Sequence, residues 1–106
     1  MPKYLFESRY TAEGAKGIEK EGGVSRREAV LKHLAQVGGK LEAMYFAFGD
    51  VDCYSIVELP DNVSAAALSL VVNESGEIVS KTVALLTPEE IDQAVKKKIN
   101  FRAPGQ

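Results

Sequence analysis

The chain has 106 residues, 45% of them hydrophobic and 26% charged, so it is long enough for one domain and too short for two. The net charge of −2 argues against a partner with a phosphate backbone, and the single cysteine excludes an internal disulfide. No apolar run approaches the roughly 20 residues that span a membrane, and the N-terminus lacks the layout of a signal peptide. We therefore expect a cytoplasmic protein that binds neither nucleic acid nor membranes.

The hydrophobic periodicity and the turn residues predict four strands and four helices. In chain order they are a strand (3–10), a helix (12–21), a helix from Ser25 that ends at Gly38-Gly39, a strand (40–48), a strand (51–59), a helix (62–73), a strand (77–86) and a helix that begins at Thr87. This order, β-α-β-β-α-β with a closing helix, predicts an α+β fold of the ferredoxin-like, or split βαβ, type with an antiparallel sheet.

The helix starts carry clear capping signals. Thr11 and Asp61 are suitable N-caps. Ser25 is three residues before a glutamate, which is the spacing of a capping box, and Thr87 combines an N-cap with proline at the next position and glutamate at the third. Along the last helix an apolar side is formed by Ile91, Val95 and Ile99. We expect one domain over residues 1–100 and a flexible tail over residues 101–106.

Two glycines, Gly14 and Gly17, lie three residues apart on the first predicted helix. Each costs roughly 1 kcal/mol relative to alanine inside a helix, so their presence needs a reason. One interpretation is close packing of this helix against the sheet, and the other is space for a ligand against bare backbone.

Both faces of the predicted central hairpin are apolar. If Gly49 and Asp50 are the two turn residues, Phe48 pairs with Val51 and Tyr45 pairs with Tyr54. Alternation then puts Met44, Phe46, Phe48, Val51, Cys53 and Val57 on one face, and Leu41, Ala43, Tyr45, Ala47, Asp52, Tyr54 and Ile56 on the other. Because the crossover helices of this fold cover only one face, we expect a second copy to cover the other, in a homodimer or a higher oligomer.

Five segments, by their order and spacing, resemble the GYD-domain family. They are residues 11–18, 38–41, 45–49, 56–61 and 86–90. The name-giving Gly-x-Tyr-Asp motif falls on Gly49, Asp50, Val51 and Asp52, with Val51 where the family has tyrosine. The resemblance implies a dimeric α/β barrel without an established activity. The wider superfamily includes small cofactor-free monooxygenases, haem-handling enzymes, isomerases and ligand-sensing domains, so the fold alone does not select a function.

Asp52 is a carboxylate in an otherwise apolar strand, and Tyr45 and Tyr54 share its predicted face. A carboxylate beside two phenols could act as a general base with two orienting donors toward a small polar substrate. The alternative is a structural carboxylate that accepts hydrogen bonds from the backbone at the hairpin or from a partner subunit.

His33 is the only histidine, so one chain cannot build a multi-histidine metal site, and we expect neither a metal nor a cofactor. It lies at the edge of the apolar stripe of its helix. There it either faces the cleft between helix and sheet, as a proton shuttle or a single axial ligand, or is a boundary residue. Cys53 has apolar neighbours in sequence and is expected to be an inert, buried thiol.

The leading hypothesis is a homodimer that binds a small organic molecule in a helix–sheet or inter-subunit cavity. An enzyme of the monooxygenase or isomerase kind would use Asp52, Tyr45, Tyr54 and His33. A non-catalytic sensing or scaffold module is the other alternative. A binder or enzyme predicts an enclosed pocket that touches at least two of these four residues, whereas a scaffold predicts that the same positions are packed solid.

Overall fold

The chain folds into four strands and four helices, and the computed structural model describes all of residues 1–106. In chain order the elements are β1 (Lys3–Tyr10), α1 (Ala12–Glu21), α2 (Gly23–Ala35), β2 (Lys40–Phe46), β3 (Cys53–Glu58), α3 (Asn62–Glu74), β4 (Ile78–Leu85) and α4 (Pro88–Val95). No helix has the length and apolar character needed to cross a bilayer.

The four strands form one antiparallel sheet in the order β2-β3-β1-β4, so the protein is of the α+β class. The central strands β1 and β3 are joined by crossovers to the edge strands. The order is consistent with the split βαβ plan predicted from the sequence, with the first crossover made of two consecutive helices, α1 and α2.

The hairpin of β2 and β3 has the predicted register, with Tyr45 opposite Tyr54, but regular pairing ends earlier than predicted. The strands stop at Phe46 and resume at Cys53, and a loop over residues 47–52 replaces the two-residue turn. A bulge near the start of β2 also shifts the pairing, so that Leu41 lies opposite Val57. The predicted placement of Leu41 on the face of Tyr45 was therefore wrong, because one extra residue in a strand reverses which face the preceding side chains occupy.

Three of the predicted helix caps are confirmed. The Thr11 hydroxyl accepts a hydrogen bond from the Gly14 backbone at 3.3 Å. The Asp61 carboxylate accepts one from the Ser64 backbone at 2.8 Å. Thr87 starts α4 with the predicted capping box.

Two predicted helix ends were wrong. The second helix begins at Gly23 and not at Ser25, because Gly22 takes a φ of 83° and turns the chain between α1 and α2 within one residue. The Ser25 hydroxyl donates to the Glu21 carboxylate at 3.1 Å and caps nothing. At the other end of the chain α4 stops at Val95, so Ile99 lies outside it.

The core lies between α2, α3 and one side of the sheet, which we call the inner face; the opposite side is the outer face. From the inner face the core receives Tyr4, Phe6 and Val57, and from the other elements it receives Leu34, Leu59 and Ala65. Only nine of the 106 residues are buried. Because α2 and α3 pack on the inner face, they leave the outer face without a covering layer.

Gly14 marks a point of close packing. A Cβ on Gly14 would lie 2.0 Å from the carbonyl oxygen of Glu77, which no side chain can tolerate without movement. The close-packing interpretation is therefore confirmed for Gly14. A Cβ on Gly17, one turn later, would meet no atom within 4 Å, so this glycine makes no such approach.

Candidate functional site

A cavity of about 70 Å³, the inner cavity, lies between the inner face of the sheet and the helices α2 and α3. Its lining is mostly apolar. The small side chains of Ser8 and Ser55, on the central strands β1 and β3, leave space where larger residues would fill the core. A cavity of this size holds several water molecules or the apolar end of a small ligand.

Tyr10 and Cys53 supply the polar floor of this inner cavity. Burial raises the pKa of the Tyr10 phenol above its usual range, and the neighbouring Cys53 thiol adds to the shift. Burial likewise raises the pKa of the Cys53 thiol, which lies 3.8 Å from the Ser55 hydroxyl. Both groups are therefore uncharged at neutral pH, the phenol as a hydrogen-bond donor and the thiol as an inert wall.

Arg26 and His33 form the entrance to the inner cavity from α2. They are seven residues apart, about two helical turns, so they share one side of the helix. Both also line a second, more open space of about 310 Å³, the outer cleft, which continues toward the surface between α2 and α3. The two spaces have the residues Arg26, His33, Leu68, Val72 and Ile78 in common. Inner cavity and outer cleft therefore adjoin at Arg26 and His33.

The structure does not bring the four residues predicted from the sequence together. Only His33 of the four lines the inner cavity, so this cavity does not meet the expectation that a ligand pocket touches at least two of them. His33 lines the inner cavity and is exposed to solvent on one side, so it is both a cavity residue and a boundary residue. Tyr45 and Tyr54 form a cross-strand pair on the outer face, where they are 73% and 40% exposed. Asp52 lies at the end of the sheet, immediately before β3, with its carboxylate on the Tyr10 backbone N–H.

The Asp52 carboxylate has a structural partner. Its Oδ2 accepts a hydrogen bond from the Tyr10 backbone N–H at 2.9 Å, and the Asp52 backbone N–H donates to the Ser8 carbonyl, also at 2.9 Å. The side chain thus takes the place of a strand carbonyl at the residue before β3 begins. This matches the structural alternative for Asp52, a carboxylate that satisfies the backbone at the hairpin.

No three histidine, cysteine, aspartate or glutamate side chains are close enough to hold a metal ion. The family model of the GYD domain matches residues 4–95 of the chain. The chain belongs to the GYD-domain family. The family membership predicted from the sequence is thereby confirmed.

This GYD domain is also similar to a solved structure, the crystal structure of FFRP-DM1. The likeness has a TM-score of 0.53 at 19% identity and covers 81% of this chain and 100% of the other. At that identity it supports the fold alone. None of the curated proteins matches the chain.

In this GYD domain the segment that resembles the family motif lies in the loop between β2 and β3. Val51, in the place of the tyrosine, lines a surface groove with Glu7, Arg9 and Lys81 at the end of the outer face. The prediction that Val51 shares a face with Cys53 was wrong, because the loop breaks the alternation before β3 begins. The motif therefore lies at the sheet end and not in the inner cavity.

Sequence reasoning missed Arg26 and Tyr10 as cavity residues. Tyr10 alternates with Ser8 and Phe6 along β1, so its inner-face position was readable from the strand pattern. Arg26 was not readable, because its position depends on the junction at Gly22 and on how α2 packs across the sheet.

Proposed function

We propose that this GYD domain is a homodimer that binds a small organic molecule in the helix–sheet cavity. The observation that carries the proposal is the inner cavity itself, an apolar space into which a few polar groups converge. Binding sites for small molecules have this composition, with apolar walls and a small number of placed polar groups. A scaffold in which α2 and α3 pack solidly on the sheet would leave no such space.

The dimensions of the two spaces set the size of the ligand. The outer cleft of about 310 Å³ is at the lower end of the roughly 300–1,000 Å³ typical of small-molecule sites. The inner cavity of about 70 Å³ is too small for a whole ligand of that class. The ligand would place a short apolar part inside and the remainder in the outer cleft.

The large exposed surface of one chain supports a homodimer. A compact chain of 11.5 kDa should expose about 5,800 Å², whereas this one exposes 7728 Å². The excess, about 1,900 Å², is larger than the roughly 800 Å² that each partner buries in a standard interface. The radius of gyration of 16.9 Å also exceeds the roughly 13 Å of a compact domain of this length.

The outer face is the surface that a second copy would cover. Besides the tyrosine pair it presents Val79 and Val83 of β4 to solvent. Packing two such faces around a two-fold axis would give the dimeric α/β barrel implied by the family resemblance. Tyr45 and Tyr54 belong to this interface in the proposal and not to the helix–sheet cavity.

A cofactor-free monooxygenase or isomerase is the enzymatic alternative. It would need Asp52, Tyr45 and Tyr54 to act with His33, and these groups lie at the sheet end, on the outer face and at the inner cavity of one protomer. We therefore propose binding without assigning a reaction.

Ligand binding is tested by filling the inner cavity. Ser55→Leu would occupy the space beside Cys53, and Ser25→Leu, on the exposed surface of α2, is the matched control. Native mass spectrometry and small-molecule extraction should find a retained compound with the wild type and with Ser25→Leu, and less of it with Ser55→Leu. Equal retention by both variants, with unchanged circular dichroism, would contradict the cavity as the site.

The homodimer is tested by sedimentation at micromolar concentration. The wild type should sediment as two chains, and Tyr45→Glu should shift it toward one, because a buried, unpaired carboxylate opposes sheet packing. Lys32→Glu, on the exposed side of α2, is the control and should stay dimeric. A wild-type chain that sediments as a stable monomer would overturn the dimer and leave the ligand-binding proposal standing.

A further inference from the structure

The Arg26 guanidinium has no partner within the protein. The two ion pairs of the structure join Lys3 with Glu42 and Lys16 with Glu13, and no side-chain hydrogen bond involves Arg26. An arginine carries five N–H donors in a planar fork that matches a carboxylate in two parallel hydrogen bonds. All of these donors are free at a point where an apolar cavity opens.

The charges around this guanidinium are few. Among the residues of the inner cavity only Arg26 and His33 can carry a positive charge, and no carboxylate lines that cavity. Glu77 lines the outer cleft but is exposed and forms no ion pair with Arg26. Asp52, near Tyr10 and Cys53, is engaged by the Tyr10 backbone N–H.

Tyr10 and Cys53, the polar floor of the inner cavity, do not neutralise the charge of Arg26 either. Arg26 lines the same inner cavity as the Tyr10 phenol and the Cys53 thiol. Burial nevertheless keeps the pKa of each group above its usual value. At neutral pH neither group supplies an anion, and Tyr10 offers one more O–H donor. The site is therefore a cationic entrance with an uncharged, mostly apolar interior.

We infer that the ligand is a small monocarboxylate, held with its apolar tail in the inner cavity and its carboxylate on Arg26 beside His33. This inference rests on the proposed binding function and names its ligand class. The planar guanidinium matches a carboxylate in two parallel hydrogen bonds, and the mostly apolar interior matches an apolar tail. The tail is short, because the inner cavity of about 70 Å³ is smaller than the roughly 150 Å³ cavity that accepts benzene.

The probes are butyrate and its uncharged analogue butyramide, which have nearly the same shape. Each is titrated into the ¹⁵N-labelled full chain and followed by amide chemical shifts. Wild type should bind butyrate roughly tenfold or more tightly than butyramide, with the shifts centred on α2 and β3. Arg26→Gln should remove that preference, and Arg26→Lys should retain part of it because the charge remains but the fork is lost.

Arg27→Gln is the matched control, since Arg27 is the next residue of α2, is exposed and lines neither space. It should keep the preference of the wild type. If butyramide binds as tightly as butyrate, or if Arg27→Gln weakens butyrate as much as Arg26→Gln, the carboxylate inference is overturned while binding in the cavity stands. If neither probe changes the amide chemical shifts of α2 and β3, and the extraction experiment yields no compound, the binding proposal is overturned together with the inference.

Discussion

The two glycines of α1 are one turn apart and have opposite surroundings. A methyl group at Gly14 would meet the Glu77 carbonyl at 2.0 Å, whereas one at Gly17 would meet nothing within 4 Å. Gly17→Ala should raise the free energy of unfolding by up to about 1 kcal/mol, through helix propensity alone. Gly14→Ala should lower it by about 1–3 kcal/mol, because the helix must move away from the chain before β4.

Urea unfolding of both variants measures the difference. Because helix propensity changes equally at the two positions, the difference between the variants reports the contact with Glu77. Two variants of equal stability would show that α1 moves away from the sheet at little cost.

The hydrogen bond that Asp61 accepts as the N-cap of α3 changes the pKa of its carboxyl group. The hydrogen bond from the Ser64 backbone lowers the pKa of the Asp61 carboxyl below its ordinary value. A depressed pKa means that this stabilisation is complete above the ordinary value of 3.8 and is lost as the pH falls through the lower, folded value.

Asp61→Asn removes the negative charge but keeps a side-chain oxygen that can cap the helix. Asparagine is also a good N-cap and does not titrate, so this variant should unfold like the wild type at pH 7 and lose less stability below pH 4. Chemical unfolding at pH 7 and pH 3 measures both. An identical acid response in the two proteins would show that the cap makes no contribution to the pH dependence.

These residues also show which local features a sequence reveals. The caps at Thr11, Asp61 and Thr87 were predicted because a cap is specified by two or three neighbouring residues. The tight contact of Gly14 could not be predicted with the same certainty, because its partner Glu77 is 63 positions away in sequence and reaches it only in the finished fold.

At the scale of elements, Asp52 links the end of the hairpin to β1 by a hydrogen bond. Its carboxylate accepts the Tyr10 N–H at 2.9 Å, next to the point where β3 begins. Asp52→Ala should lower the free energy of unfolding by about 1–3 kcal/mol, because a partly buried N–H loses its acceptor. Asp52→Asn keeps an acceptor oxygen and should cost less.

Thermal and urea unfolding of the two variants test this structural role. If Asp52→Asn is as unstable as Asp52→Ala, the negative charge matters more than the acceptor. A variant of unchanged stability with altered ligand retention would instead support the functional interpretation of this carboxylate.

The hairpin shows the limit of pattern reading for elements. Its register was predicted because Tyr45 and Tyr54 follow from counting outward from Gly49 and Asp50. The bulge at Leu41 was not predicted. An apolar strand can turn either face toward the core, and only its pairing with the neighbouring strand decides which residues are buried. The cavity could not be predicted either, because Arg26 lines the same space as residues of β3 only through the packing of α2 across the sheet.

At the scale of the whole molecule, α4 extends from the domain and makes almost no contact with its own chain. Its apolar residues Ile91 and Val95 are exposed, and Ile99 and Phe101 follow them in the segment after the helix. In the proposed dimer this arm would bury its apolar side against the partner. Such an arm would account for part of the excess surface of the isolated chain.

Ile91→Asp should therefore weaken the dimer roughly tenfold or more and leave the protomer folded. Gln93→Asp, which adds the same charge to a polar position of α4, is the control and should have little effect. Sedimentation measures the dissociation constant, and circular dichroism checks the fold. Equal dimer affinity for both variants would show that α4 contributes nothing to assembly.

The alternation of side chains along β3 has a practical consequence for protein engineering. Cys53, Ser55 and Val57 line the inner cavity, while the side chains between them face the opposite side of the sheet. Under the proposed function, a mutant library restricted to the three inner positions would vary the ligand site and leave the outer face unchanged. A library at the intervening positions would vary the proposed dimer interface and leave the lining of the inner cavity unchanged. In that proposal, one strand of six residues carries two properties at alternate positions, and each can be diversified separately.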